Sequence, residues 1–339
     1  MKLLMDGRVL EGSSSGVRDV ASGLLQGLRS LQQQRRVDVT VATVGTTHAE
    51  SDVQLPSRFF MHAWLPLTAL RGRFDRIVVP RQTIPFVSPV QSVPVFHDVG
   101  FIDEPTLYRD AAKITATTRY ASRAKKALAV SGYTADRMAQ LGLNNRVTPL
   151  PIEAVHDIVW RPERDDPYLL CIAAQEPHKN LPKLVDAWGT LDDIDARLII
   201  CGRPGNDSDA LDRARSRLRR PASVEIASGL SAAAYAALLA GAHGYVQPSL
   251  YEGLCIPAMD MAAAGVPMVV GNHSNLGARF SGAPDGQAID ATDVDLLAAA
   301  LRALLTDERF RQESMSYNRE NVHMTDWLRV GEIFLEAIA

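Results

Sequence analysis

Short apolar runs alternate along the chain with longer stretches in which apolar side chains recur every three or four positions. The short runs have the length and branching of buried strands, and the longer ones the period of amphipathic helices. In the first half, Lys2–Met5, Val37–Val44, Arg76–Val79, Val93–Phe96 and Ala127–Val130 predict strands. Val17–Leu31 predicts a helix with Val17, Val20, Leu24, Leu25 and Leu28 on one face, and Ile114–Lys126 predicts another. Ser131 reads as the N-cap of a helix that Gly142 ends. Thr148–Pro167, rich in proline and charge, reads as a linker.

The alternation then restarts. Strands are predicted at Tyr168–Ala173, Arg197–Cys201, Val224–Ala227, Gly244–Val246 and Pro267–Val270. Helices are predicted at Leu181–Leu191 (opened by Asn180), Ser231–Ala240, Pro257–Ala264, Asp293–Leu305, Glu308–Asn318 and Thr325–Ile338. Strands that alternate with helices imply βαβ units and parallel sheets. A chain of 339 residues is long for one core. The expected α/β architecture is two Rossmann-like domains facing each other, residues 1–155 and 165–320, with a terminal segment 321–339 returning to the first.

Composition narrows the classes. Charged residues make up 22% and hydrophobic residues 46%, an ordinary globular balance. No run of about 18 apolar residues suggests a spanning helix, and Met1–Gly12 does not read as a signal peptide. Cys171, Cys201 and Cys255 have no paired spacing, so a disulfide framework and a zinc knuckle are not expected, and a cytoplasmic, reducing setting is. The net charge of −3 combines a positive first half with a negative second half. The positive half is the better candidate to meet an anionic surface.

Candidate chemistry concentrates in Val246–Asn275. A strand runs into a loop holding Pro248, Ser249, Glu252 and Gly253, and a helix starts near Pro257. Proline suits a helix start, and the amides of Leu254, Cys255 and Ile256 then form an anion-binding N-terminus. Asp260 lies about one turn inside that otherwise apolar helix, where a buried carboxylate needs hydrogen-bond partners.

This stretch resembles the E-x7-E region of the retaining nucleotide-sugar glycosyltransferases, the family 4-like group with the GT-B architecture. Their PSLYEGFGLP corresponds to Pro248-Ser-Leu-Tyr-Glu-Gly-Leu-Cys-Ile-Pro257, and their CGxPVV to Ala264-Gly-Val-Pro-Met-Val-Val270, with Asp260 in place of the second acid. Tyr168–Leu181 looks like the family's YVGTLEPRKNL, Val93–Ile102 like its VVTIHDLSF, and Met5–Val20 like its DGR and GIGRY opening. The resemblance implies that Lys179 binds the donor diphosphate, that His97 meets the donor sugar, and that Gly16 lets backbone approach phosphate or acceptor. It further implies Glu252 on sugar hydroxyls, Asp260 on the ribose, and the diphosphate at Gly253, Leu254, Cys255 and Ile256. Asp98 fits loop capping as well as a site role. This chain departs from the pattern at Ala174 and His178, where relatives carry arginine, and at Ala278, where they carry an acid.

The implied function is retaining transfer of a hexosyl group, mannosyl among the options, from a nucleotide-sugar to a glycan or lipid-linked acceptor. Catalysis would rest on His97, Lys179 and Glu252, without a cofactor or metal. Asp193-Ile-Asp195 precedes a predicted strand instead of ending one, so it reads as a surface loop and not as a metal motif. Nucleic acid is not expected as a partner. Phe59–Leu70, followed by Arg71 and Arg73, suits either a core helix or contact with the inner face of a membrane. The departures keep a non-catalytic partner or regulatory subunit open, and an epimerase or phosphorylase on the same fold stands behind both.

Overall fold

The computed structural model describes all residues except 13–14, 46–49 and 163–164. Ser13 and Ser14 of the glycine/serine opening, and Glu163 and Arg164 of the linker, therefore lie outside the described residues. The chain divides into two compact units. The first comprises Met1–Asp103, Asp110–Val155 and Thr325–Ala339; the second comprises Glu104–Arg109 and His156–Met324.

The first unit holds strands β1 (Lys2–Asp6), β2 (Asp38–Thr43), β3 (Val53–Gln54), β4 (Arg76–Val79), β5 (Gln91–Phe96), β6 (Ala127–Ala129) and β7 (Val147–Pro149). They form one sheet in the order β3-β2-β1-β4-β5-β6-β7, and every pairing is parallel. The first helix, Gly16–Gln33, is capped by Ser15, whose hydroxyl accepts the Arg18 N–H. It buries Val20, Leu24, Leu25, Leu28 and Leu31, the stripe that the 3.6 period predicts. The last helix, Trp327–Ile338, packs on it. Contact is close because Gly23 and Gly27 face Trp327: a Cβ at Gly23 would lie 2.1 Å from the indole, and one at Gly27 1.9 Å from the Trp327 carbonyl oxygen.

The second unit holds β8 (Tyr168–Ile172), β9 (Arg197–Cys201), β10 (Val224–Ala227), β11 (Gly244–Gln247), β12 (Met268–Gly271) and β13 (Ala288–Ile289). Their order is β10-β9-β8-β11-β12-β13, again parallel throughout. Leu169, Cys171, Leu198, Ile200, Val246 and Val269 from this sheet join Trp188, Leu301 and Leu304 in the core. The strand order reverses between β8 and β11. In open sheets of this kind, ligands bind beyond the carboxyl ends of the strands at such a reversal.

Local capping departs from expectation at Asn180. It takes a left-handed conformation (φ 57°) and makes no side-chain cap. Its amide instead donates to the Ala291 carbonyl at 2.7 Å, tying the loop after β8 to the far side of the sheet. The Ile114–Lys126 expectation resolves as Ala111–Ala121. Phe59–Leu70 is a π-helical turn, Phe60–Trp64, followed by the helix Leu65–Arg71.

Candidate functional site

Two loops meet at the reversal of the second sheet. The loop after β8 carries Glu176 and then a single 3-10 turn, Pro177–Lys179. The loop after β11 carries Ser249 and Glu252 and ends in the helix Ile256–Ala263. The Leu250 N–H donates to the His178 carbonyl at 2.8 Å and laces the loops together. Lys179 Nζ donates to Glu252 Oε1 at 2.7 Å. Ser249 Oγ reaches the same oxygen at 2.8 Å, and the Glu252 N–H donates to Ser274 Oγ at 2.8 Å.

Glu252 is only 8% exposed. Burial pushes its carboxyl up, but the Lys179 charge and hydrogen bond, with His178 and Ser249, outweigh that and leave it below the ordinary carboxylate range. The Cys255 thiol hydrogen-bonds with Glu252, and burial raises that thiol well above its usual value. The lysine and the acid thus neutralise each other inside the protein, each with polar company.

Gly253 and Leu254 continue the loop, and Cys255, at φ 65°, turns it into the helix. Pro257 occupies that first turn. The leading amides of a helix have no intrahelical acceptor, so the turn can receive an anion. Asp260 lies buried inside the same helix. Its carboxylate accepts from the His156 N–H at 3.0 Å and pairs with His156 Nδ1 at 2.7 Å. Asp260 therefore clasps the residue at which the chain enters the second unit.

His178 stacks on Tyr108 with ring centroids 4.7 Å apart. Tyr108 belongs to the short segment Glu104–Arg109 that the second unit includes. His178 Nδ1 is buried without a hydrogen-bond partner. Burial first, and the Lys179 charge second, lower the imidazole to about 4.

His97 and Gly16 belong to the first unit. His97 follows β5, and its Nε2 lies 3.0 Å from the Pro80 carbonyl. A carbonyl only accepts, so Nε2 carries the proton. Burial lowers this imidazole to about 4 despite the Pro80 bond. Asp98 Oδ1 accepts the Gly100 N–H at 3.1 Å, an orienting role in the loop. Gly16 is an exposed first residue of its helix, and its backbone is not in the left-handed region.

Asp193 and Asp195 lie in the turn before β9 and pair with Arg302 and Arg220 respectively. Sequence reasoning overlooked Tyr245, Gln247, Ser274, Tyr108 and His156. The first two had a visible signal, since Tyr245, Gln247 and Ser249 put polar groups at every second position leading out of an apolar strand.

The glycosyl transferases group 1 family matches residues 156–321. The O-antigen chain mannosyltransferase B of Escherichia coli is 25% identical over 264 residues, which cover 70% of this chain and 67% of that protein. A sucrose-phosphate synthase from Thermosynechococcus elongatus superposes with a TM-score of 0.76 at 14% identity, over 100% of this chain and 99% of that one. Anabaena Alr3699/HepE in complex with UDP-glucose gives 0.73 at 14% identity, over 100% and 99%. Identities this low establish a shared fold, here two parallel-sheet α/β units of the GT-B kind. The second unit of this chain thus matches the group 1 glycosyltransferase family, and a mannosyltransferase aligns with most of the chain's length.

Proposed function

We propose that the chain transfers a hexosyl group, mannosyl in the reading the relatives support best, from a nucleotide-sugar to a glycan or lipid-linked acceptor with retention at the anomeric carbon. The buried Lys179–Glu252 pair, held at the reversal of the second sheet, carries this reading. As the sugar leaves, the diphosphate gains negative charge, and a fixed ammonium beside it lowers that barrier. The turn at Gly253, Leu254, Cys255 and Ile256 offers amides to the same group, and Glu252 offers its carboxylate to sugar hydroxyls. The leaving diphosphate draws the acceptor proton as the new bond forms on the same face, so no side-chain nucleophile is needed. His97, a neutral imidazole whose Nε2 proton is held by the Pro80 carbonyl, is assigned to the donor sugar. Lys179, Glu252 and His97 are the catalytic assignment; Asp260 is assigned to the ribose once the His156 clasp yields, and Gly16 to the acceptor side.

The reaction needs no cofactor or metal in this reading. The relative named for O-antigen chain mannosyl transfer supports the mannosyl choice.

The test is calorimetry and product release with UDP-, GDP- and ADP-sugars. Lys179→Ala should weaken turnover by about 2–4 kcal/mol in transition-state stabilisation, with Lys179→Arg recovering part of it. Donor binding and turnover that ignore both variants would refute the assignment.

The acceptor side fits a cytoplasmic protein at the inner face of a membrane. No described helix is long and apolar enough to span one. On the first unit Phe59, Leu70, Phe86 and Val87 are 58–79% exposed, with Arg58, Arg71, Arg73 and Arg81 exposed among them in sequence. Apolar anchors amid cations suit an anionic lipid surface. Nucleic acid has no place in this reading.

A further inference from the structure

Tyr245 and Gln247, on β11, and Ser249, just beyond it, are fully buried, in a place where apolar side chains would pack more cheaply. Their polar atoms form a single file. Tyr245 Oη lies 2.5 Å from Gln247 Oε1, Gln247 Nε2 lies 2.7 Å from Ser249 Oγ, and Ser249 Oγ lies 2.8 Å from Glu252 Oε1. A strand repeat of two places all three on one line toward the loop.

The direction of the file follows from its end. An ionised carboxylate only accepts, so the Ser249 hydroxyl must donate to it. Ser249 is then free to accept, which turns the Gln247 amide nitrogen toward it and the Gln247 oxygen toward Tyr245. Tyr245 must donate in turn. Burial raises the Tyr245 phenol well above its ordinary value, which keeps the first donor protonated. Three groups thus align their dipoles toward one carboxylate oxygen, and bonds in such a chain strengthen one another in a low-dielectric interior.

We propose that Tyr245, Gln247 and Ser249 are positioning residues, a one-way relay of donors that keeps the Glu252 carboxylate charged and aimed at the donor sugar. The proposal rests on the reading of Glu252 as a sugar-binding group. Lys179 supplies the opposite charge from the neighbouring loop, and the relay supplies direction from the sheet. Other titratable groups also act on Glu252: His178 beside Lys179, Cys255 at the helix start and Cys171 on β8.

The experiment is a pH profile of kcat/KM for sugar transfer by the full chain and its Ser249→Ala, Ser249→Thr and Tyr245→Phe variants. A lost hydrogen bond to a charged group should raise the acid limb by roughly one to two pH units. Ser249→Ala is expected to show that move, with a lower kcat and a smaller change in KM. Ser249→Thr keeps the hydroxyl and should restore the limb, and Tyr245→Phe should move it the same way by less. Loss of activity spread evenly over pH, with no moved limb, would overturn the relay while the transferase reading stood. If the parent itself turns over no donor, that reading fails. The relay is then judged by carboxyl carbon NMR of Glu252 in the full chain. A titration that rises in Ser249→Ala supports it, and one that stays in place overturns it.

Discussion

His97 and His178 share a lowered titration whose main cause in both is burial, in different surroundings. One follows a strand in the first unit and gives its proton to a carbonyl; the other lies under a tyrosine beside a lysine. Both are held to about 4, while an unfolded histidine titrates near 6.5. As pH falls below about 6.5 the unfolded chain takes up protons that the folded chain refuses, so stability falls with pH until about 4 is passed. Thermal unfolding between pH 7 and 5 should therefore show a declining midpoint, and His178→Asn should flatten the decline. An identical slope in that variant would remove His178 from the account. The candidate positions Lys179, Glu252, Asp260 and His97 were picked out by the family resemblance of the motifs around them. Their partners were not. Nothing local in the sequence shows that Asp260 meets His156, 104 positions away, because that pairing depends on where the chain enters the second unit.

At the scale of elements, periodicity located most strands and helices within a few residues, because a buried strand or an amphipathic helix writes its own period. The two-residue strands β3 and β13 and the three-residue β7 escaped it, being too short to show alternation. The seam between the first and last helices escaped it too. Glycine in a helix interior reads as a weakness, yet Gly23 and Gly27 are the reason Trp327 can lie against the first helix. Gly27→Ala would drive a methyl into the Trp327 backbone carbonyl, which cannot turn aside as a side chain can. It should destabilise the first unit by about 1–3 kcal/mol or more. Gly23→Ala meets only the indole ring and should cost less. Thermal unfolding of the two variants decides this, and an equal or reversed order would show that the helices slide apart freely.

For the whole molecule, the exposed apolar and basic side chains of the first unit bear on where the protein works. Phe86 is exposed yet held: its N–H donates to His62 Nδ1, its carbonyl accepts from Tyr120 Oη at 2.6 Å, and its ring stacks on His62 at 4.2 Å. Cosedimentation should find the protein on anionic vesicles, less on zwitterionic ones, and less again after Phe86→Ser with Val87→Ser. Equal recovery on all three would leave the membrane reading without support. The alternation of short apolar runs and helical periods determined two parallel α/β sheets, since each run must be covered on both faces by its neighbouring helices. The spacing of acid, proline and glycine around residues 248–270 marked the turn of the candidate site. Only the tertiary structure decided which side chains satisfy one another: that Lys179 spends its charge on Glu252, that Asp260 holds His156, that a file of buried donors ends on one carboxylate oxygen. Hydrogen bonds and ion pairs form between atoms a few ångströms apart, and that proximity is set by strand order and packing, which a linear pattern does not contain.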